Sequence, residues 1–469
     1  MKIPVLLAGV SALALHAFPA AAQEHNETDH SQHQVAHDAG PKLDPVDHSL
    51  MDHGKLEQEV QSMPLQSQFT KSRSVACPST NNEILAECRK SPDFSEGSGT
   101  SRLPGQEGGM HGLHIDAGSE WMVMAHGYAW GVYTNQSGPR GDEKAYVQSM
   151  AMLSAERSFT GARLQIKSMF SLEPLMSNRG YPNLFATGET ANGEPLVDRQ
   201  HPHDFFMELA ARLDVDIADG ASLFLYGGPV GEPALGPSAF MHRGSAKLNP
   251  EAPITHHWFD SSHITYGVGT VGLSTQRFQL EGSIFTGQEP DERRWNIEKS
   301  KLDSWSVRAS WNPSPSWSLQ ASTGRLKEPE AFHPGEDEHR TTVSINYANS
   351  NGLSAMLAFS AKDRKPGETL TAWLAEANWD IDDHHTLFGR IENVKNDELF
   401  PDHADLLHEV PFRVSKFQGG YAYRFRLAGP VNIAMGGTVS AYAKPRELDA
   451  AYGNSPIGFT LFARYSLAY

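Results

Sequence analysis

Residues 457–469 constrain the fold more than any other segment. Ile457, Phe459, Leu461, Ala463, Tyr465, Leu467 and Tyr469 fall on one face of an extended chain, and Gly458, Thr460, Arg464, Ser466 and Ala468 on the other. Phe462 is the one large apolar residue on the second face. Period-two alternation is the mark of a strand, because successive side chains leave it on opposite sides. A tilted strand of about 9–11 residues crosses a bilayer, and this one is long enough.

The same pattern recurs upstream from Glu120. Alternating spans are expected at 121–134, 145–157, 160–173, 203–217, 219–228, 262–274, 276–289 and 302–312. The series continues at 315–325, 338–349, 352–363, 369–380, 384–396, 412–426, 429–443 and 456–469. Turns of one to three residues, such as Pro313-Ser314 and Ser350-Asn351, alternate with long loops at 174–202, 229–261 and 397–411. Apolar Trp305, Val307, Ala309 and Trp311 alternate with Ser306, Arg308 and Ser310. Phe417, Tyr421, Tyr423 and Phe425 alternate with Lys416, Gln418, Ala422 and Arg424. Lipid cannot solvate charge, whereas a lumen can, so the first set faces lipid and the second faces inward. The expected fold is all-β: a transmembrane antiparallel up-and-down β-barrel of about 16 strands occupying residues 119–469. An even number places both ends in the periplasm.

The beginning of the chain agrees. Met1-Lys2, an apolar run and Ala20-Ala21-Ala22 form a signal peptide over residues 1–22. Residues 23–118 are polar, dotted with Gly and Pro, and expected to be a largely disordered periplasmic arm. An alternating last strand with a terminal aromatic, joined to an export signal, resembles the C-terminal signal of bacterial outer-membrane barrels. That resemblance implies a place in the outer membrane, surrounded by its lipid, and handling by the barrel assembly machinery. A net charge of −17 argues against a nucleic-acid partner. The two cysteines, Cys77 and Cys88, are expected to form a local disulfide in an oxidising compartment.

Three groups of residues carry the chemistry of metal ligands. The arm holds His25, His30, His33, His37, His48, Met51 and His53 beside several carboxylates. Imidazole suits copper, zinc and nickel, and carboxylates raise the local cation concentration. The second group faces the lumen: Met122, Met124 and His126 on the first strand, Met150 and Met152 on the second. Folding sets His126 near Met152 and Met150 near Met169. Thioether with imidazole would favour Cu(I); packing by flexible methionines is the alternative. The third group lies in two long loops expected at the extracellular rim: His201, His203 and Asp204, then His256, His257, Asp260 and His263. It would suit a divalent ion held by N and O ligands, or a hydrogen-bonded network pinning the loops.

The phrase Asp47-His48-Ser49-Leu50-Met51-Asp52-His53-Gly54 resembles the N-termini of outer-membrane copper-resistance proteins of the CopB type. The loop phrases Asp198–Asp204, His256–His263 and Gly227–Pro237 resemble a group of uncharacterised Gram-negative outer-membrane proteins that brings no activity with it. The functional expectation is a barrel that binds or handles metal ions for copper tolerance or homeostasis. Copper is the expected ion and zinc the second choice, with periplasmic metal-handling proteins as partners. A general or substrate-specific porin is the alternative. A membrane-embedded hydrolase, with His263 and nearby serines, is the third. No Gly-x-Ser-x-Gly, Walker or His-Glu-x-x-His motif occurs, so no enzyme is expected.

Overall fold

The computed structural model describes residues 93–108, 112–116 and 120–467. The signal peptide, the histidine arm ligands from His25 to His53 including Met51, and Cys77 and Cys88 lie outside the described residues. None of the described helices is long and apolar enough to cross a membrane; strands do the crossing here.

Sixteen antiparallel strands close into a barrel. They are β1 (Trp121–Gln136), β2 (Glu143–Phe159), β3 (Ala162–Phe170), β4 (Phe206–Ala218), β5 (Ala221–Gly231) and β6 (Thr265–Thr275). Next come β7 (Phe278–Phe285), β8 (Ser304–Ser314), β9 (Trp317–Leu326), β10 (Asp337–Ala348), β11 (Leu353–Lys365) and β12 (Thr369–Asp380). The last are β13 (His385–Asn396), β14 (Phe412–Ala428), β15 (Val431–Ala443) and β16 (Ile457–Leu467). Each strand of the sequence reading has its counterpart, with ends displaced by a few residues. Every strand pairs with its sequence neighbour where the connection is short. The ring closes by pairing β16 with β1, from Gly458 opposite Gln136 to Leu467 opposite Gly127. Below that seam the short strand Leu113–Asp116 continues the pairing with β1 at Met122–Ala125.

Alternation sorts the side chains as physical chemistry requires. Val147, Leu153, Leu225, Val271, Ile284, Trp305, Val307, Trp373, Val439 and Leu461 are exposed on the outer wall. Such a continuous apolar belt is stable only against lipid. Phe462 turns inward and meets Trp130 edge-on, with ring centroids 5.1 Å apart.

The inward face departs from that of an open channel. Lys362, Arg340, Lys416, Thr134 and Thr460 are fully buried, as are Arg308 and Arg390 to within 1%. They are covered by protein. Residues 232–264 cross the interior and bond to the inner wall all around it. Gly236 N–H donates to Ser322 Oγ at 2.8 Å, Ser360 Oγ to the Trp258 carbonyl at 2.6 Å, Arg390 to the Glu251 carbonyl at 2.7 Å, and Lys416 Nζ to Glu251 at 2.8 Å. The loops expected at the rim are therefore folded into the lumen. Burying so many charges demands partners, and the loop supplies them.

Residues 93–107, within the stretch expected as arm, also lie inside the wall. Arg308 donates to Thr100 Oγ1 at 3.0 Å, Arg102 to Ser274 Oγ at 2.7 Å, and Arg163 to Glu96 at 2.7 Å. Local composition marks them as a solvated tail. Their polar groups are satisfied instead by the polar inner wall, which only the closed barrel creates.

Candidate metal centre

The two histidine phrases meet inside this filled lumen. Residues 201–204 form the descent into β4, and His256–Phe259 make a single helical turn followed by a 3-10 turn at Ser261–His263. His201, His203, His256, His257 and His263 are all buried. One ring nitrogen from each of His201, His256 and His257 lies within 4.8 Å of the other two. The rings continue as a chain. His256 is 5.2 Å from both His257 and His263 between centroids, and His263 is 5.3 Å from His203.

Each of these rings is held by one nitrogen. His256 Nδ1 donates to Asp260 Oδ1 at 2.8 Å, His203 Nδ1 to Glu173 Oε2 at 2.8 Å, and His257 Nδ1 to Glu289 Oε1 at 3.2 Å. His263 Nδ1 donates to the Asp260 carbonyl at 2.6 Å, and His201 Nδ1 to the Pro202 carbonyl at 3.2 Å. The opposite nitrogen, Nε2, is buried and without a hydrogen-bond partner in all five. Glu189 Oε1 comes within 3.2 Å of His201 Nε2, off the axis of a hydrogen bond. A metal-binding imidazole shows this arrangement: one N–H fixed to a carboxylate or carbonyl, the other nitrogen left for the ion. A buried acceptor nitrogen with no partner is otherwise costly, by about 1–3 kcal/mol.

Charge is tuned along the chain of rings. Burial pulls His201, His256 and His263 below the ordinary imidazole value, so they stay neutral, the form that binds metal. Burial works against a charge on His257 too, but the Glu289 carboxylate outweighs it and lifts His257 to about 9.

The expected acidic ligands take other parts. Asp260 directs Oδ1 to His256 and Oδ2 to Arg243 Nη1 at 2.8 Å and to the Phe240 N–H at 2.9 Å. Asp204 Oδ2 accepts from Arg294 at 3.1 Å, and Arg294 also pairs with Glu189. These carboxylates orient histidines and loops. Glu173, Glu189, Glu289, Arg243 and Arg294 belong to the site as well, and they come from three separate loops. No spacing in the sequence links them to the histidines.

The methionine group is placed differently. Met150, Met152 and Met169 are buried with Met207, Val230, Ile264 and Tyr266, and Met124 packs against them. His126 stands directly opposite Met152, and Met152 opposite Met169, with Met150 in the same cluster as Met169. Met122 is 52% exposed and stands away from that cluster. The thioethers pack with aliphatic and aromatic groups, which is the use flexible methionines serve in cores. His263 forms no hydrogen bond with Ser261 or Ser262. Its Nδ1 goes to the Asp260 carbonyl and its Nε2 has no partner.

No family model matches the chain, and no curated protein matches it. The likeness of the arm to CopB-type proteins therefore gains no support from these comparisons. Among solved structures, the barrel is similar in outline to Salmonella typhi OmpF in complex with daunomycin (TM-score 0.49, 10% identity, covering 76% of this chain and all of that one). It is similar also to an anion-selective porin from Comamonas acidovorans (TM-score 0.46, 11% identity, 74% of this chain and all of that one). A third is Pseudomonas putida OprB (TM-score 0.46, 10% identity, 74% of this chain and 94% of that one). Likeness at this level bears on neither cargo nor mechanism.

Proposed function

We propose that this outer-membrane β-barrel binds a transition-metal ion in its lumen, at His201, His256 and His257, with His203 and His263 alongside. The observation that carries the reading is the set of five buried imidazoles, each anchored through Nδ1 and each with an unpartnered Nε2. An all-imidazole set suits Cu(II), Zn(II) and Ni(II), and such a site holds Cu(II) more tightly than Zn(II). Copper is therefore the first candidate and zinc the second. In this reading the barrel serves metal tolerance or homeostasis, with the histidines of the arm acting on the periplasmic side beside periplasmic metal-handling proteins.

Titration of the folded, detergent-solubilised protein with Cu(II), Zn(II) and Co(II) tests the centre. One ion per barrel is expected, with Co(II) giving the visible spectrum of a nitrogen-rich site. The triple variant H201A/H256A/H257A should lose that ion while keeping the barrel's circular dichroism. Undiminished binding by the triple variant would falsify the proposal.

A porin is the second reading. Sixteen strands with a polar inner face are the frame of a water-filled channel. The filling of the lumen by residues 93–107 and 232–264 speaks against an open one. Planar-bilayer recording separates the readings. Porin-sized conductance in the native protein supports the second, whereas conductance that appears only after residues 240–258 are replaced by a short linker overturns it.

A further inference from the structure

A buried centre needs a way in, and the loop rim shows one. The inference rests on reading the histidines as a metal site. A cavity of about 430 Å³ opens among the long loops, walled by Gly188, Glu189 and Thr190, by the segment 288–293, and by Pro329 and Ala331. Two of its wall residues also reach the centre. Glu189 Oε1 is 3.2 Å from His201 Nε2, and Glu289 Oε1 is 3.2 Å from His257 Nδ1. Glu289 Oε2 is buried and has no hydrogen-bond partner. The cavity wall carries the carboxylates of Glu189, Glu289, Asp291 and Glu292; Glu189 is paired with Arg294 and Glu289 with His257, and with Arg293 on the wall the balance stays negative. Gly188 adjoins the His257 ring so closely that a Cβ there would stand 2.5 Å from Nδ1. No side chain at that position screens the ring from the cavity.

We propose that this cavity is the cation vestibule of the barrel, and that a hydrated divalent transition-metal ion is loaded through it from the long-loop side. A concave wall with a net excess of carboxylates concentrates cations. Glu289 Oε2 and Glu189 Oε1 replace part of the hydration shell. Carboxylate oxygens suit hard cations, whereas imidazole suits first-row transition metals better, so the ion moves on to His257 and His201. Both ends of a sixteen-strand barrel lie on the short-turn side, so the vestibule faces the cell exterior.

The test blocks the cavity without touching the centre. In a C77S/C88S background, Ala331→Cys is modified with a bulky neutral maleimide, and Co(II) uptake is followed by stopped-flow absorbance. The label should slow association about tenfold or more, in line with the 10–10³-fold rate gains of charged clefts. Final occupancy and affinity should stay as in the unlabelled protein. Asp291→Asn, without the label, should slow uptake and weaken its dependence on ionic strength. Uptake at the unlabelled rate by the labelled protein overturns the vestibule and leaves the centre standing. A label that also lowers final occupancy overturns it too, because it then acts on the centre itself. No Co(II) uptake by the unlabelled protein removes the metal centre and the vestibule together.

Discussion

Asp260 receives the Nδ1 hydrogen of His256 on Oδ1 and Arg243 on Oδ2, both at 2.8 Å, one turn of chain away from the ring it holds. Arg243 is in turn tied to Glu376 on the barrel wall at 2.8 Å. The orientation of a central imidazole is thereby referred to the barrel itself. Burial alone would raise the Asp260 carboxyl, but Arg243 and His256 hold it far below the usual range, so it remains an acceptor at any ordinary pH.

Replacing Asp260 by Asn should leave the barrel folded and the metal loosely held. Loss of such an outer partner costs about 10–100-fold in metal affinity. Competition with a chelator of known affinity measures it, and heat-modifiable gel migration checks folding. An unchanged affinity would mean that His256 does not bind the ion through Nε2.

Metal binding should release a proton from His257. Its folded value is near 9, so it is charged at pH 7.5 in the metal-free protein, and the ion must displace that proton. Apparent affinity is then expected to rise about tenfold per pH unit up to pH 9 and to level off above it. In Glu289→Gln the partner that raises the value is gone, and the plateau should begin at lower pH. Calorimetry in buffers of different ionisation enthalpy counts the protons; a count near zero at pH 7.5 contradicts this assignment.

Gly188 adopts φ +112°, a region that disfavours side chains, and its missing Cβ makes room for the His257 ring. Gly188→Ala therefore has to shift either its own backbone or that ring. A cost of about 1–3 kcal/mol at the loop is expected, together with weaker Co(II) binding and unaltered strand content. Asn178, on the same cavity wall, provides the control: Asn178→Ala should change neither.

The outer belt gives a test of the barrel that is independent of metal. Leu461→Arg should cost about 2–4 kcal/mol in a bilayer refolding assay if the site lies at the midplane. Ser306→Arg, on the inner wall, should also be costly, because Ser306 is buried against other protein and extra volume there costs about 1–3 kcal/mol. Shortening of residues 233–237, which bond to the neighbouring wall residues Ser283 and Ser322, should relieve part of the second cost and none of the first. Equal relief at both positions would contradict the assignment of faces.

Strand number, approximate strand positions and the two faces of the wall were readable from residue order. Alternation is a local property: Trp305 and Arg308 point opposite ways because of where they stand along one strand, whatever the rest of the chain does. The candidate histidines were readable as residue types for the same reason. Their roles were not. His201 and His256 belong to different loops, and Asp260, which looked like a ligand, is drawn to Arg243 and so to Glu376 on β12. Nor could order reveal that residues 93–107 and 232–264 fill the interior. Thr100 and Arg308 are 208 positions apart, and Glu251 and Lys416 are 165 apart. Polar loops of this composition are equally suited to water. They are buried here because closing the barrel produces an inner wall of charges that must be paired, and that wall exists only in the tertiary structure.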